Sequence, residues 1–233
     1  MRVLVIGAHP DDAEYYCGGT ICRCVERGDD VSIAVVTDGG CGSDNISREE
    51  ASALRRREAE EASAVAGAKL IWVGLPDAHL FYTEENRLKI VEAVRESAPE
   101  LMLIHGPNDY HPDHVSASRM AFDAAFLSTL SAIKTQHPPL AKCPSIYHME
   151  HCCGIGFNPE SYVDITSVYE TKKKMLQCHS SQQAWLGDQF GSALIDDMEV
   201  ISRFRGLQCN VKYAEGFIQV RDFPRANTTR LLP

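Results

Sequence analysis

The chain has 233 residues, 44% of them hydrophobic and 24% charged, which suits one globular unit with a substantial core. Its formal charge of −9 argues against a nucleic-acid partner, because a phosphate-backbone binder needs a basic face. No stretch approaches the roughly 18 uncharged apolar residues that span a bilayer. The apolar start, Arg2 to Gly7, meets Asp11 and Asp12 too early for a signal-peptide core, so a cytoplasmic location is expected.

Taken in order, Arg2 to Gly7 reads as a strand buried on both faces, followed by a helix from about Glu14 to Arg27. Val31 to Thr37 is a second buried strand that runs into Asp38-Gly39-Gly40. Ser47 and Glu50 form a capping-box signature for a long helix to Ala66, closed by Gly67. Leu70 to Val73 is a third strand, Asn86 to Ser97 an amphipathic helix, Leu101 to Ile104 a fourth strand, and Asp113 to about Thr129 the next helix. This alternation predicts a Rossmann-like, doubly wound α/β fold with a mostly parallel sheet and helices on both faces.

After His137-Pro138-Pro139 the pattern changes. Short strands are expected near Ser145 to Met149, Tyr162 to Ile165 and Phe217 to Val220, with helices at Ser167 to Cys178 and Ala193 to Gly206. The whole chain, 1–233, reads as one domain: an α/β core over 1–135 and a small C-terminal α+β extension over 136–233. The nine cysteines include no C-x-x-C, and they read as reduced thiols packing as small hydrophobes.

In an open parallel sheet, ligands bind beyond the carboxyl ends of the strands. Two clusters of metal-type residues fall there: Ala8-His9-Pro10-Asp11-Asp12-Ala13-Glu14 after the first strand, and Asn108-Asp109-Tyr110-His111-Pro112-Asp113-His114 after the fourth. A catalytic zinc wants three nitrogen or oxygen ligands and one open position. His9 and Asp12, at i and i+3 across a strand-to-helix turn, supply two, and His114 supplies the third. A His-His-Asp set also accepts ferrous iron. Asp11, beside a ligand but outside the set, suits a general base. His111 suits an oxyanion donor or proton donor, with Asp113 orienting its ring. His105, His148, His151 and His179 read as packed or structural histidines, and Arg55-Arg56-Arg57 as a charged helix face. Tyr110 is a candidate pocket residue. A non-catalytic Rossmann-like binding module is the competing class. The first loop lacks G-x-G-x-x-G and puts acids where a pyrophosphate would sit, which opposes it.

The two motifs, A-H-P-D-D-x-E at Ala8 to Glu14 and H-P-D-H at His111 to His114, resemble those of the PIG-L/LmbE-like zinc-dependent deacetylases. Thr37-Asp38-Gly39, Arg55-x-x-Glu58-Ala59, Gly74-Leu75-Pro76-Asp77, His179-x-Ser181-Gln182 and Tyr213 to Phe217 extend the likeness over nearly the whole chain. The late segments look most like the bacillithiol-pathway branch that deacetylates N-acetylglucosaminyl malate. The resemblance implies the same metal ligands and base, with Zn2+ as cofactor. It also implies Arg55 and Asp77 as substrate contacts, with Arg56 and Arg57 as alternative registers for the former. The implied reaction removes acetate from an N-acetylglucosamine-type, small-molecule amino-sugar conjugate. A thiol-conjugate amidase or natural-product deacetylase is the alternative. Homo-oligomers, such as a hexamer, are implied by the same relatives.

Overall fold

The computed structural model describes residues 1–191, 193–226 and 228–233. In chain order it contains β1 (Arg2–Gly7), α1 (Asp12–Glu26), β2 (Asp30–Thr37), α2 (Arg48–Ala66), β3 (Lys69–Leu75), α3 (Glu84–Ser97), β4 (Leu101–Ile104) and α4 (Pro112–Leu127). There follow β5 (Ser145–Met149), a single 3-10 turn (Cys152–Gly154), β6 (Ser161–Asp164), α5 (Tyr169–Gln177), α6 (Ser180–Phe190), α7 (Leu194–Cys209) and β7 (Ala214–Gln219).

The seven strands form one sheet in the order β3-β2-β1-β4-β5-β7-β6. The first five are parallel, whereas β7 runs antiparallel to both β5 and β6. Alternation along the central strands builds two cores. Val3, Val5, Leu101 and Leu103 point to the face that carries α1 and α5. Leu4, Ile6, Met102 and Ile104 point to the other, under α3 and α4. Burying each such side chain contributes roughly 1.5–3 kcal/mol, so a strand loaded on both faces is fixed firmly in register. The doubly wound reading therefore holds.

From β1 the chain builds outward to β2 and β3, then returns to place β4 on the opposite side of β1. That reversal opens a crevice at the carboxyl ends of β1 and β4. Both metal-type motifs lie in it.

The main difference from expectation is α6, which sequence reading did not place. Its residues, SSQQAWLGDQF, carry no apolar stripe at helical spacing. Instead α6 is held by distant groups. Ser181 N–H and Oγ donate to Glu58 at 2.9 and 2.6 Å, and Trp185 Nε1 donates to Asp44 at 3.1 Å. The capping box at Ser47 and Glu50, the Gly67 C-cap and the first six strands are as expected to within a residue or two, whereas β7 starts three residues before the expected Phe217. All nine cysteines are free.

Helix α1 is interrupted at Cys17 (φ −146°). There Glu215 of β7 accepts hydrogen bonds from Gly19 N, Thr20 N and Thr20 Oγ1 at 2.9, 2.7 and 2.6 Å, while Lys172 Nζ of α5 donates at 2.6 Å. A carboxylate from the far end of the sequence thus serves as an internal N-cap. Gly19 is required by this packing, because a Cβ there would lie 2.6 Å from Ile165 Cβ.

Candidate active site

The first loop is shaped by Asp11, whose φ of 113° is sparsely populated for a non-glycine residue and costs about 1–3 kcal/mol. Asp11 is the N-cap of α1, and its carbonyl accepts the first helical hydrogen bond from Tyr15 N at 2.9 Å. The turn closes when His9 N–H donates to Asp12 Oδ2 at 2.7 Å. Helix α4 supplies the second loop, with His111 as its N-cap and Pro112 in its first turn.

These loops bring His9, Asp12 and His114 together. His9 Nδ1 lies 3.2 Å from His114 Nε2, His114 Nε2 lies 3.3 Å from Asp12 Oδ1, and His9 Nδ1 lies 3.6 Å from Asp12 Oδ2. The two Asp12 distances involve different carboxylate oxygens. Among the described residues, the groups of three whose donor atoms all lie within 4.8 Å of one another are His9, His111 and His114; Asp12, His105 and His114; and His9, Asp77 and Asp113. This cluster of nitrogen and oxygen donors could hold a small divalent cation. Charge agrees with geometry. Asp12, Asp77, Asp109 and Asp113 all lie within 3.6 Å of a ring nitrogen of His9 or His114. Burial alone would depress the His114 pKa, yet Asp12 and Asp109 hold it at about 9.

The outer shell differs from expectation in one pairing. Asp113 was expected to orient His111, but its carboxylate instead faces His9 Nε2 at 3.3 Å and accepts Ala78 N–H at 2.8 Å. The reason is helical geometry: at the first turn of α4, the Asp113 N–H donates to His111 Nδ1 at 3.2 Å while its side chain points back across the crevice. Because Nδ1 accepts, a neutral His111 carries its ring proton on Nε2. Burial, with His9 and His114 nearby, lowers the His111 pKa and favours that neutral form.

Asp11 stands outside this donor cluster. Burial lifts its carboxyl to about 6 against the pull of Arg55, whose Nη2 lies 3.3 Å from Asp11 Oδ2. Arg55 is the buried member of the arginine run, whereas Arg56 and Arg57 are exposed. It also donates to Pro10 O at 2.5 Å and Gly39 O at 3.3 Å, so it braces the first loop. Gly39 has a φ of 63°, and a Cβ there would meet Arg55 Nη1 at 2.8 Å. Asp77 is buried, with Oδ1 3.3 Å from His9 Nε2 and Oδ2 accepting Cys41 N–H at 2.9 Å. Tyr110 sits on the rim, 73% exposed, with its ring edge-on to His111.

Sequence reading assigned no role to Asp109, whose Oδ2 lies 3.1 Å from His114 Nδ1. A carboxylate behind a histidine sets its tautomer and basicity. Its signal was position, in the same short loop as His114. His105, read as a packed histidine, stacks on His114 at 4.2 Å, with Nε2 3.1 Å from Asp12 Oδ2. His179 is fully buried 3.4 Å from Glu14, and neither of its ring nitrogens has a hydrogen-bond partner.

Comparison with known proteins gives consistent results. The model of the GlcNAc-PI de-N-acetylase family, PIG-L, matches residues 4–125. Diacetylchitobiose deacetylase of Thermococcus kodakarensis is 31% identical over 92% of this chain and 81% of its own length. A probable N-acetyl-alpha-D-glucosaminyl L-malate deacetylase 2 of Bacillus cereus is 29% identical over 80% of this chain and 86% of its own. A 4-oxalmesaconate hydratase of Pseudomonas putida is 25% identical over 95% and 89%. Among solved structures, the N,N'-diacetylchitobiose deacetylase of Pyrococcus horikoshii superimposes with a TM-score of 0.82 at 28% identity, covering 94% of this chain and 83% of that one.

Proposed function

The chain belongs to the GlcNAc-PI de-N-acetylase (PIG-L) family, and from that premise we propose that it hydrolyses the acetamide of an N-acetylglucosamine-type conjugate to free amine and acetate. The observation that carries the proposal is the convergence of donors, with His9 Nδ1 3.2 Å from His114 Nε2 and the two Asp12 oxygens 3.3 and 3.6 Å from those nitrogens, beside Asp11, a carboxylate outside the cluster and paired with Arg55. A divalent cation held there, zinc in this reading, would polarise the acetamide carbonyl and bring the pKa of water near 7.

The chain's own groups then divide the work. Asp11, adjacent to a ligand and steadied by Arg55, takes the proton of the attacking water. His111 donates its Nε2 proton as a hydrogen bond to the oxygen that gains charge as water adds to the carbonyl carbon. When the C–N bond breaks, Asp11 returns the proton to the departing amine. Asp109 and Asp113 orient His114 and His9, and Arg55 and Asp77, which brace the first loop and His9, are the proposed sugar contacts. Asp113 is in this reading a positioning residue.

No described helix is long and apolar enough to cross a membrane. A homo-oligomer acting in the cytoplasm, on a soluble conjugate, completes the proposal. The similarity to a hydratase gives a concrete second reading, because the same base would activate water for addition to a carbon–carbon double bond. The test incubates the zinc-loaded chain with N-acetylglucosamine, diacetylchitobiose, N-acetylglucosaminyl malate and 4-oxalmesaconate. Amine release from an acetamide, with no hydration of the last substrate, is expected. Hydration without amine release would reverse the assignment.

A further inference from the structure

A cavity of about 420 Å3 lies between residues 42–46, the start of α2 and helix α6. It falls in the ordinary size range of small-molecule sites. Arg55 is the wall it shares with the catalytic crevice: the side chain lines the cavity, and its Nη2 lies 3.3 Å from Asp11 Oδ2. We propose that this cavity is the subsite for the part of the substrate beyond the acetamide-bearing ring, and that it accepts a second neutral sugar in preference to an anionic group. This rests on the deacetylase reading above and deepens it.

Two features select the ligand class. The first is Trp185, half-buried, with Nε1 donating to Asp44 Oδ2 at 3.1 Å, an oxygen that also accepts from Gln189 Nε2 at 2.6 Å. The indole is pinned at its edge while lining the cavity, so it offers an apolar surface to the C–H face of a pyranose. Asp44, Asn45 and Gln189 surround it with acceptors and donors suited to hydroxyl groups. The second is charge. The ionisable groups lining the cavity are Asp44, Asp188 and Arg55. The Arg55 guanidinium is already engaged by Pro10 O, Gly39 O and Asp11. A carboxylate entering here would face two aspartates and no uncommitted cation, which selects against it.

The experiment measures amine release by the full-length, zinc-loaded chain from N-acetylglucosamine, diacetylchitobiose and N-acetylglucosaminyl malate. The kcat/KM for diacetylchitobiose should exceed that for the malate conjugate at least tenfold. In Trp185→Ala the preference for diacetylchitobiose over N-acetylglucosamine should narrow at least fivefold. In Asp188→Lys, a change at an exposed position, the ratio of malate conjugate to disaccharide should rise at least fivefold. Ratios unchanged in both variants overturn the subsite and leave deacetylation standing. No amine release from any of the three overturns the deacetylase reading, and binding then decides the subsite separately. Quenching of tryptophan fluorescence by diacetylchitobiose that is lost in Trp185→Ala supports it, and no quenching overturns it.

Discussion

Two regions of this molecule bury charge, and they do so with opposite results. At Glu215, one carboxylate accepts four hydrogen bonds, from Gly19 N, Thr20 N, Thr20 Oγ1 and Lys172 Nζ. The acid is fully satisfied and its charge is balanced by a single ammonium. At the carboxyl ends of β1 and β4, four aspartates crowd the imidazoles of His9, His105, His111 and His114. His105 Nδ1, His114 Nδ1 and Asp109 Oδ2 there lack a hydrogen bond of good geometry. Buried charge by itself therefore does not mark a functional site. Surplus negative charge together with converging, incompletely partnered donors does, because such a cluster is stable only when something else enters it.

The comparison can be broken most severely at Asp11. Asp11→Asn should lower kcat about 10³-fold, the scale of a lost general base, while bound metal and melting temperature stay near wild type. Steady-state amine release with metal analysis checks this, and a fall below tenfold would remove Asp11 from the proton transfer. The converse holds at the satisfied pair. Lys172→Met leaves Glu215 buried without its counter-ion and should cost about 3–5 kcal/mol of stability. At roughly 2–4 °C per kcal/mol for a chain of this size, thermal melting should fall by about 6–20 °C. Metal stoichiometry of the folded fraction should not change. Loss of metal in this variant would merge the two regions into one.

His111→Phe tests the oxyanion role and should reduce kcat about 10²-fold with metal retained. Reduced metal content with a near-normal rate per bound ion would recast His111 as a ligand. The smallest expected effect belongs to Asp109→Asn, where metal affinity should weaken about 10- to 100-fold as His114 loses the carboxylate behind it. Competition against a fluorescent chelator reads that change directly. Affinity equal to wild type would make Asp109 a loop-structuring residue only, through the hydrogen bond it accepts from His111 N.

What was legible in the sequence follows from how locally each feature is encoded. The parallel core was readable because β1, β2 and β4 are continuous apolar runs, each buried on both faces. The closeness of His9, Asp12 and His114 was readable because one short motif follows β1 directly and the other follows β4 within ten residues. Helix α6 was not, since it is held by Glu58 and Asp44 from other parts of the chain rather than by its own periodicity. The Glu215 cap was illegible for the same reason, its partners in α1, Gly19 and Thr20, lying 195 or more positions away. Asp113 is expected beside His111, whereas its carboxylate faces His9. Spacing places it beside His111, and only the direction of its side chain at the head of α4 sends it to His9. Arg55 was selected from three adjacent arginines by which face of α2 turns inward, a matter of a single helical step.

The central claim is that His9, Asp12 and His114 hold one divalent cation on which deacetylation depends. The most direct measurement titrates zinc into chelator-treated protein while following both bound metal and amine release from diacetylchitobiose, in wild type and in His114→Ala. The account predicts that wild-type activity rises in step with metal to one ion per chain, whereas His114→Ala takes up little and stays inactive. Full amine release by the metal-free chain, or one tightly bound ion per chain in His114→Ala, would contradict it.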